Sequence, residues 1–209
     1  AKHVIEIAKR GKHIVVEKPF TLKTAQADEI IALAAKRSLM VSVFQNRRWD
    51  GDFLTIKKVI EAGSLGRLVS FESHFDRFRN YIQESWKEEK RLGAGTLYNL
   101  GSHMIDQALN LFGMPEYIFA DVRGQRTGSE VDDSFDIFMH YPDVKCLVRG
   151  SYLVKEQGPR YILHGTHGSF LKWGIDPQEE ALKAGKVPGL NNWGADLPNM
   201  FGILNTEAY

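Results

Sequence analysis

The apolar positions of the chain follow two arrangements, and the change between them divides the sequence. Residues 2–10 are helical in pattern from the start: Val4, Ile5, Ile7 and Ala8 share a face, and Gly11 follows as a C-terminal cap. His13-Ile14-Val15-Val16-Glu17 is a short apolar run closed by Lys18-Pro19, which predicts a strand. Residues 22–37 place Leu22, Ala25, Ile30, Leu33 and Ala34 on one face of a helix, with Lys36 and Arg37 at the end that favours cations. Leu39-Met40-Val41-Ser42-Val43-Phe44 predicts a second strand. Helix, strand, helix, strand is the order of a parallel, doubly wound α/β sheet.

After Phe44 the pattern changes. Residues 51–62 predict a helix ending near Gly63, with a turn at Gly66. Residues 67–79 then alternate, Val69, Phe71 and Phe75 on one face and Ser70, Glu72, His74 and Asp76 on the other, as in a half-buried strand. Residues 80–95 are charged and irregular, and 97–112 predict a helix ending near Gly113-Met114-Pro115. Strands are expected near 117–123, 133–141, 145–154, 160–164 and 169–173, joined by short turns such as Pro142-Asp143. That run implies a largely antiparallel open sheet with flanking helices, an α+β arrangement. The boundary is set near residue 45, giving units of 1–44 and 45–209. The tail after 174, rich in Gly, Pro and Asn, reads as loop.

Composition sets limits on this picture. The chain has 209 residues, 43% apolar and 25% charged, with 27 Lys and Arg against 26 Asp and Glu for a net charge of +1. It is long enough to bury roughly 70% of its unfolded surface. No global basic field is present to attract nucleic acid or an anionic membrane. The single Cys146 excludes an internal disulfide. No apolar run reaches the roughly 18 residues of a membrane span.

Three segments could supply chemistry. Glu17-Lys18-Pro19 ends a parallel strand, where open α/β sheets bind ligands, and Lys18 could stabilise a developing oxyanion. A bare charged turn in solvent is the bland alternative. On the 97–112 helix, Asn99, His103, Asp106 and Asn110 fall within about 60° of one another. Leu97, Leu100, Met104, Ala108, Leu111 and Phe112 cover the other side. His103 could exchange a proton near neutrality, and Asn99 could orient it or bind the same ligand. Alternatively the stripe faces water. Gln45-Asn46-Arg47-Arg48-Trp49-Asp50 follows the second strand; its arginines could pair with acidic groups across the junction or contact a phosphate or substrate. His164-Gly165-Thr166-His167 has metal-like spacing but reads as a turn, so no metal site is expected. Cys146 reads as core. Gly93-Ala94-Gly95 lacks the third glycine of a dinucleotide turn.

The run from Ile7 through Glu17-Lys18-Pro19-Phe20, the Asn46-Arg47-Arg48-Trp49-Asp50 segment with its helix and Gly63-Ser64-Leu65-Gly66, and the Asn99/His103/Asp106 stripe together resemble the Gfo/Idh/MocA oxidoreductases, over nearly the whole chain and in the right order. The resemblance implies a Rossmann domain that binds NAD or NADP, of which 1–44 is a remnant, and a substrate-binding and association domain over 45–209. It implies hydride transfer between a nicotinamide and a sugar, polyol or related hydroxy compound. It places Lys18 near the reacting oxygen and makes His103 the proton acceptor. Asn99 and Asp106 become substrate contacts, and Glu17, Lys18, Pro19, Asn46, Arg47 and Arg48 lie beside the cofactor. Association into a homo-oligomer through the open sheet and a cytoplasmic location are further implications.

Two departures qualify it. Position 99 is Asn where many members have Asp, so proton transfer is assigned to His103 and only binding or orientation to Asn99. A non-catalytic sugar- or cofactor-binding member, or an association module, is the alternative reading. The chain also contains no G-x-G-x-x-G. With its abrupt helical start and its unmarked end at Ala208-Tyr209, this reads as a piece of a longer protein, holding only the nicotinamide end of a cofactor site and expected to be inactive alone.

Overall fold

A computed structural model describes residues 1–189 and 193–207. Helix α1 (Lys2–Lys9) leads into strand β1 (Ile14–Val16), helix α2 (Thr24–Lys36) and strand β2 (Val41–Val43). The two strands pair in parallel, Ile14 opposite Val41 and Val16 opposite Val43. Ala8, Ile14, Ile30 and Ala34 form the buried contacts of this small layer. Its parallel register puts the ends of both strands, and so Glu17-Lys18 and Phe44 to Arg47, on the same side.

Helix α3 (Gly51–Glu61) then precedes a second sheet with strands β3 (Leu68–Asp76), β4 (Tyr117–Arg123), β5 (Ser134–His140), β6 (Lys145–Ser151), β7 (Tyr161–Gly165), β8 (Gly168–Lys172) and β9 (Ile203–Thr206). Among the described residues they form seven strands in the order β4-β5-β6-β3-β7-β8-β9. All pairings are antiparallel except β3 with β6, because the chain leaves β3 through helix α4 (Ser102–Phe112) and re-enters from the far edge. Period-2 alternation gives the sheet one dry face. Phe71, Phe75, Phe135, Ile137, Cys146, Val148, Leu163 and Phe170 meet Leu100, Met104 and Ala108 of the α4 region there. Burying each of the larger side chains is worth about 1.5–3 kcal/mol. The opposite face carries Glu72, His74, Asp136 and Arg149, with exposed Phe119 and Phe138.

Two expectations need correction. The tail after 174 is not all loop: it forms α5 (Gln178–Lys183), a short 3₁₀ turn (Pro198–Met200) and β9, which completes the sheet against β8. The parts of that expectation at 190–192 and 208–209 lie outside the described residues. The helix expected over 97–112 is not uniform either. Leu97–Gly101 is a π-helical turn, and the α-helix begins only at Ser102. Close packing accompanies the wide turn. A Cβ on Gly101 would stand 3.3 Å from the Phe135 ring and 2.7 Å from Leu97 Cδ1, and one on Gly150 would meet the same ring from the sheet at 2.8 Å. Two glycines thus let the turn settle onto Phe135.

Candidate functional site

A cleft of about 860 Å³ opens where the ends of β1, β2 and β3 converge on the π turn and α4. Lys18 and Asn46 enter it from the small layer, His103 and Asn99 from the helix, and Asp176 and Glu179 from the segment at the start of α5. A π turn displaces backbone carbonyls from the regular ladder, and such turns are frequent at functional sites. Here Lys18 Nζ donates to the carbonyl of Asn99 and, at 3.4 Å, to its side-chain Oδ1. The Lys18–Pro19 peptide bond is cis.

Burial lowers the Lys18 ammonium to about 8, with Lys87 and Arg47 acting in the same direction and Glu17 opposing them. His103 is only 5% exposed. Burial, then Lys18, Arg47 and Arg160, push it down to about 3, so the imidazole is neutral across the ordinary pH range. Its buried Nδ1 has no partner among the described residues. A neutral imidazole offers one donor and one acceptor nitrogen. Beside an ammonium, it can take a proton from a hydroxyl while the cation stabilises the oxygen left behind.

Arg47 is held on three sides. Its Nη1 donates to Asp50 Oδ2 at 2.8 Å, its Nη2 to Glu179 Oε2 at 3.3 Å, and its guanidinium lies 5.3 Å from the Phe75 ring centre. Gln107 Nε2 donates to its backbone carbonyl at 2.8 Å. Burial raises Asp50 to about 6 although Arg47 opposes the shift.

Of the residues singled out in the sequence, Glu17, Lys18, Asn46, Arg47, Asn99 and His103 line this cleft together. Pro19, Arg48 and Asp106 do not. Arg48 and Asp106 instead form a two-pronged pair, Nε to Oδ2 at 2.7 Å and Nη2 to Oδ1 at 2.6 Å, which ties the segment after β2 to α4. Asn110 is exposed. His164 Nδ1 lies 2.8 Å from Ser169 Oγ in the β7–β8 hairpin. Cys146 is buried and its thiol is pushed up to about 12 by that burial. Among the described residues no group of three or more His, Cys, Asp or Glu side chains is placed to hold a metal ion. No helix among them is long and apolar enough to cross a membrane.

Sequence reasoning missed several lining groups. Arg77 and Arg79 follow β3 in the same alternating phase, which the spacing itself could have signalled. Glu179 and Lys183 belong to α5, whose acidic first turn and Glu179/Lys183 spacing of four were the available helix cues.

Comparison with known proteins gives a consistent result. Residues 53–171 match the model of the GFO/IDH/MocA C-terminal domain, and residues 1–45 that of the oxidoreductase family's NAD-binding Rossmann fold. The chain is 42% identical over 205 residues to scyllo-inositol 2-dehydrogenase (NADP(+)) IolW of Bacillus subtilis, covering 98% of this chain and 57% of that protein. It is 44% identical over 194 residues to the oxidoreductase YdgJ of Escherichia coli, covering 93% and 56%. Among solved structures, an oxidoreductase from Bacillus cereus superposes with a TM-score of 0.89 at 38% identity, covering 99% of this chain and 60% of that one. The chain thus spans a little over half the length of these relatives.

Proposed function

The chain belongs to the GFO/IDH/MocA oxidoreductase family, and from that premise we propose that the whole protein moves hydride between a nicotinamide and a CH–OH group of a sugar, polyol or related compound. The cofactor of the family is NAD or NADP. The unpartnered His103 Nδ1, and a Lys18 ammonium whose described partners are only the two oxygens of Asn99, make a donor set that fits its nicotinamide end. Glu17, Lys18, Asn46 and Arg47 would hold that end, and when bound the cofactor accepts or supplies the hydride. Every other part of the reaction falls to side chains of this chain. A substrate hydroxyl sits between Lys18 and His103. Neutral His103 accepts its proton, and the Lys18 ammonium stabilises the alkoxide as it forms. Asn99 holds Lys18 in place through both its oxygens. The turn that cradles pyrophosphate, G-x-G-x-x-G at a helix N-terminus, is not in these 209 residues. By themselves they are therefore expected to bind nucleotide weakly and to turn over nothing.

One observation carries the reading: His103, whose buried Nδ1 has no partner among the described residues, and Lys18, held by Asn99, line the same cleft. The test is nicotinamide absorbance on mixing the whole protein with NAD or NADP and a panel of polyols and aldoses. Reduction of either cofactor supports the reading; none with any member of the panel refutes it.

The open face of the second sheet is proposed as the surface that joins two copies, since Phe119, Phe138 and Ile203 are exposed on it. A cytoplasmic site of action for small polar metabolites is proposed with it.

A further inference from the structure

Beyond its end at Asp76, β3 continues as an extended segment that is pinned to the end of β6 and the residues just after it. Arg77 N donates to Ser151 O and Arg79 N to Tyr152 O, each at 2.8 Å, and Val154 N returns a bond to Arg77 O at 3.0 Å. Phe78 bridges to Leu153 between them. Extended backbone sends side chains 77 and 79 to the same side, and both line the cleft that holds Lys18 and His103. Each guanidinium has an aromatic rest: Arg77 lies 5.0 Å from the Phe75 ring centre, and Arg79 lies 5.6 Å from that of Tyr152. The planes are held in place before any ligand arrives.

Neither arginine forms an ion pair among the described residues; the one side-chain bond between them is Arg79 Nη1 to Gln83 Oε1, at 3.1 Å. Lys87, on the same wall, has none either. The 80–95 segment that presents it is anchored by buried Arg126, which bonds Tyr81 O, Glu88 and Asp133. The carboxylates of the cleft are largely committed. Glu179 holds Arg47 and Lys183, Glu180 holds Lys183, and Asp176 accepts from Gly51 N and Gln178 N. Burial, with Arg79 and Arg47 close by, lowers the Arg77 guanidinium from its ordinary value, with Tyr152 and Glu179 opposing. Glu17 faces the same cleft beside Lys18, and the positive charge of Arg77, Arg79 and Lys87 stands on this wall without an ion pair among the described residues. Pyrophosphate in such folds sits at the glycine turn of the Rossmann unit, whereas Arg77 and Arg79 lie within the span of the C-terminal domain model.

We propose that the substrate of this cleft carries an anionic group, a carboxylate or phosphate on a polyhydroxylated frame, received by Arg77 and Arg79. The inference rests on the oxidoreductase reading of Lys18 and His103 and names the substrate class for it. Guanidinium presents paired N–H donors that match both oxyanions, and charge-assisted bonds of this kind are roughly twice as strong as neutral ones.

The test measures binding to the whole protein by ligand-observed NMR, with D-glucuronate, D-glucose 6-phosphate, D-glucose and scyllo-inositol as probes. One or both anionic probes should bind about tenfold or more tightly than the neutral ones, and which of them does so separates carboxylate from phosphate. The preference should shrink in Arg77→Gln and Arg79→Gln and persist in Arg77→Lys, with melting curves confirming that each variant folds. Equal binding of neutral and anionic probes, or a preference that survives both glutamine variants, overturns the proposal. So does a loss in Arg77→Gln that falls on NADPH rather than on the acid. If the whole protein oxidises scyllo-inositol with no preference for either acid, the anionic substrate fails and the oxidoreductase reading stands. If no member of the panel reduces a cofactor while the acid preference holds, the oxidoreductase reading fails by itself.

Discussion

Lys18 Nζ bonds the main-chain carbonyl of Asn99 and lies 3.4 Å from the Oδ1 of the same residue, so one residue of the π turn grips the lysine by two oxygens. The main-chain oxygen is present whatever side chain occupies position 99. In the whole protein, Lys18→Ala and His103→Ala are each expected to lower turnover by orders of magnitude. Asn99→Asp should retain a substantial share, because the carbonyl remains and an Asp still offers an oxygen. Steady-state kinetics of the three variants are the check. Near-full turnover in His103→Ala would remove it as the proton acceptor.

The same lysine sets a pH dependence. Its folded value of about 8 lies below the ordinary 10.5, because burial and the neighbouring Lys87 and Arg47 disfavour the charge. Between those two values the unfolded chain binds more protons than the folded one, so stability should rise as pH increases through this window. Below about 8 the buried charge weakens the fold. Carbon-13 NMR of the lysine side chains should show one resonance titrating near 8, absent in Lys18→Met. A lysine spectrum titrating only near 10.5 would contradict the burial argument.

Some of this was legible in the sequence and some could not be. The change from parallel to antiparallel order was readable, because period-2 and period-3.6 patterns record which faces are dry. Lys18 and His103 were readable as candidates from their place at a strand end and on a polar stripe. Three things were not. The π turn at 97–101 accompanies the fit of Gly101 and Gly150 around Phe135, a contact between residues far apart in sequence. Pairing of an arginine in this segment with an acidic group across the junction was one reading of the sequence, but that the partner of Arg48 is Asp106, 58 positions on, no local spacing announces. Strand β9 is exposed throughout, so it lacks the apolar alternation that marks a strand and is defined by its pairing with β8.

His103 predicts an acid limb. Its folded value of about 3 lies far below the ordinary 6.5, burial being the largest cause. The unfolded chain takes up a proton between 6.5 and 3 that the folded chain refuses, so stability should fall as pH drops through this range, by a few kcal/mol in all. Urea melts of this chain from pH 7 to 4 should show the loss, and His103→Leu should flatten it. An unchanged slope in that variant would mean other groups cause the acid sensitivity.

Gln107 is a buried connector. Its Nε2 donates to Arg47 O at 2.8 Å, and its Oε1 accepts from the hydroxyl of fully buried Tyr161 at 2.9 Å. Gln107→Leu keeps the volume but strands both partners, so it should cost about 1–3 kcal/mol. Because it also frees the main chain at Arg47, substrate affinity in the whole protein should weaken more than maximal turnover. Loss of stability with unchanged KM would make Gln107 a structural connector only.

Phe119 of β4 faces outward, 65% exposed, with its ring 6.3 Å from that of Phe138 on the neighbouring strand. Single exposed apolar residues are ordinary, but this pair shares the open face of the sheet with exposed Ile203. If that face joins two copies, Phe119→Asp places a charge against its counterpart and desolvates it on association, so the dimer should weaken by tenfold or more, on the scale of about 1.4 kcal/mol per decade. Folding of the single copy should be little affected, because the side chain is already in water. Sedimentation velocity over a concentration series compares the variant with the parent chain. A parent that sediments as a monomer at every concentration, or a variant that associates equally well, would place the contact surface elsewhere.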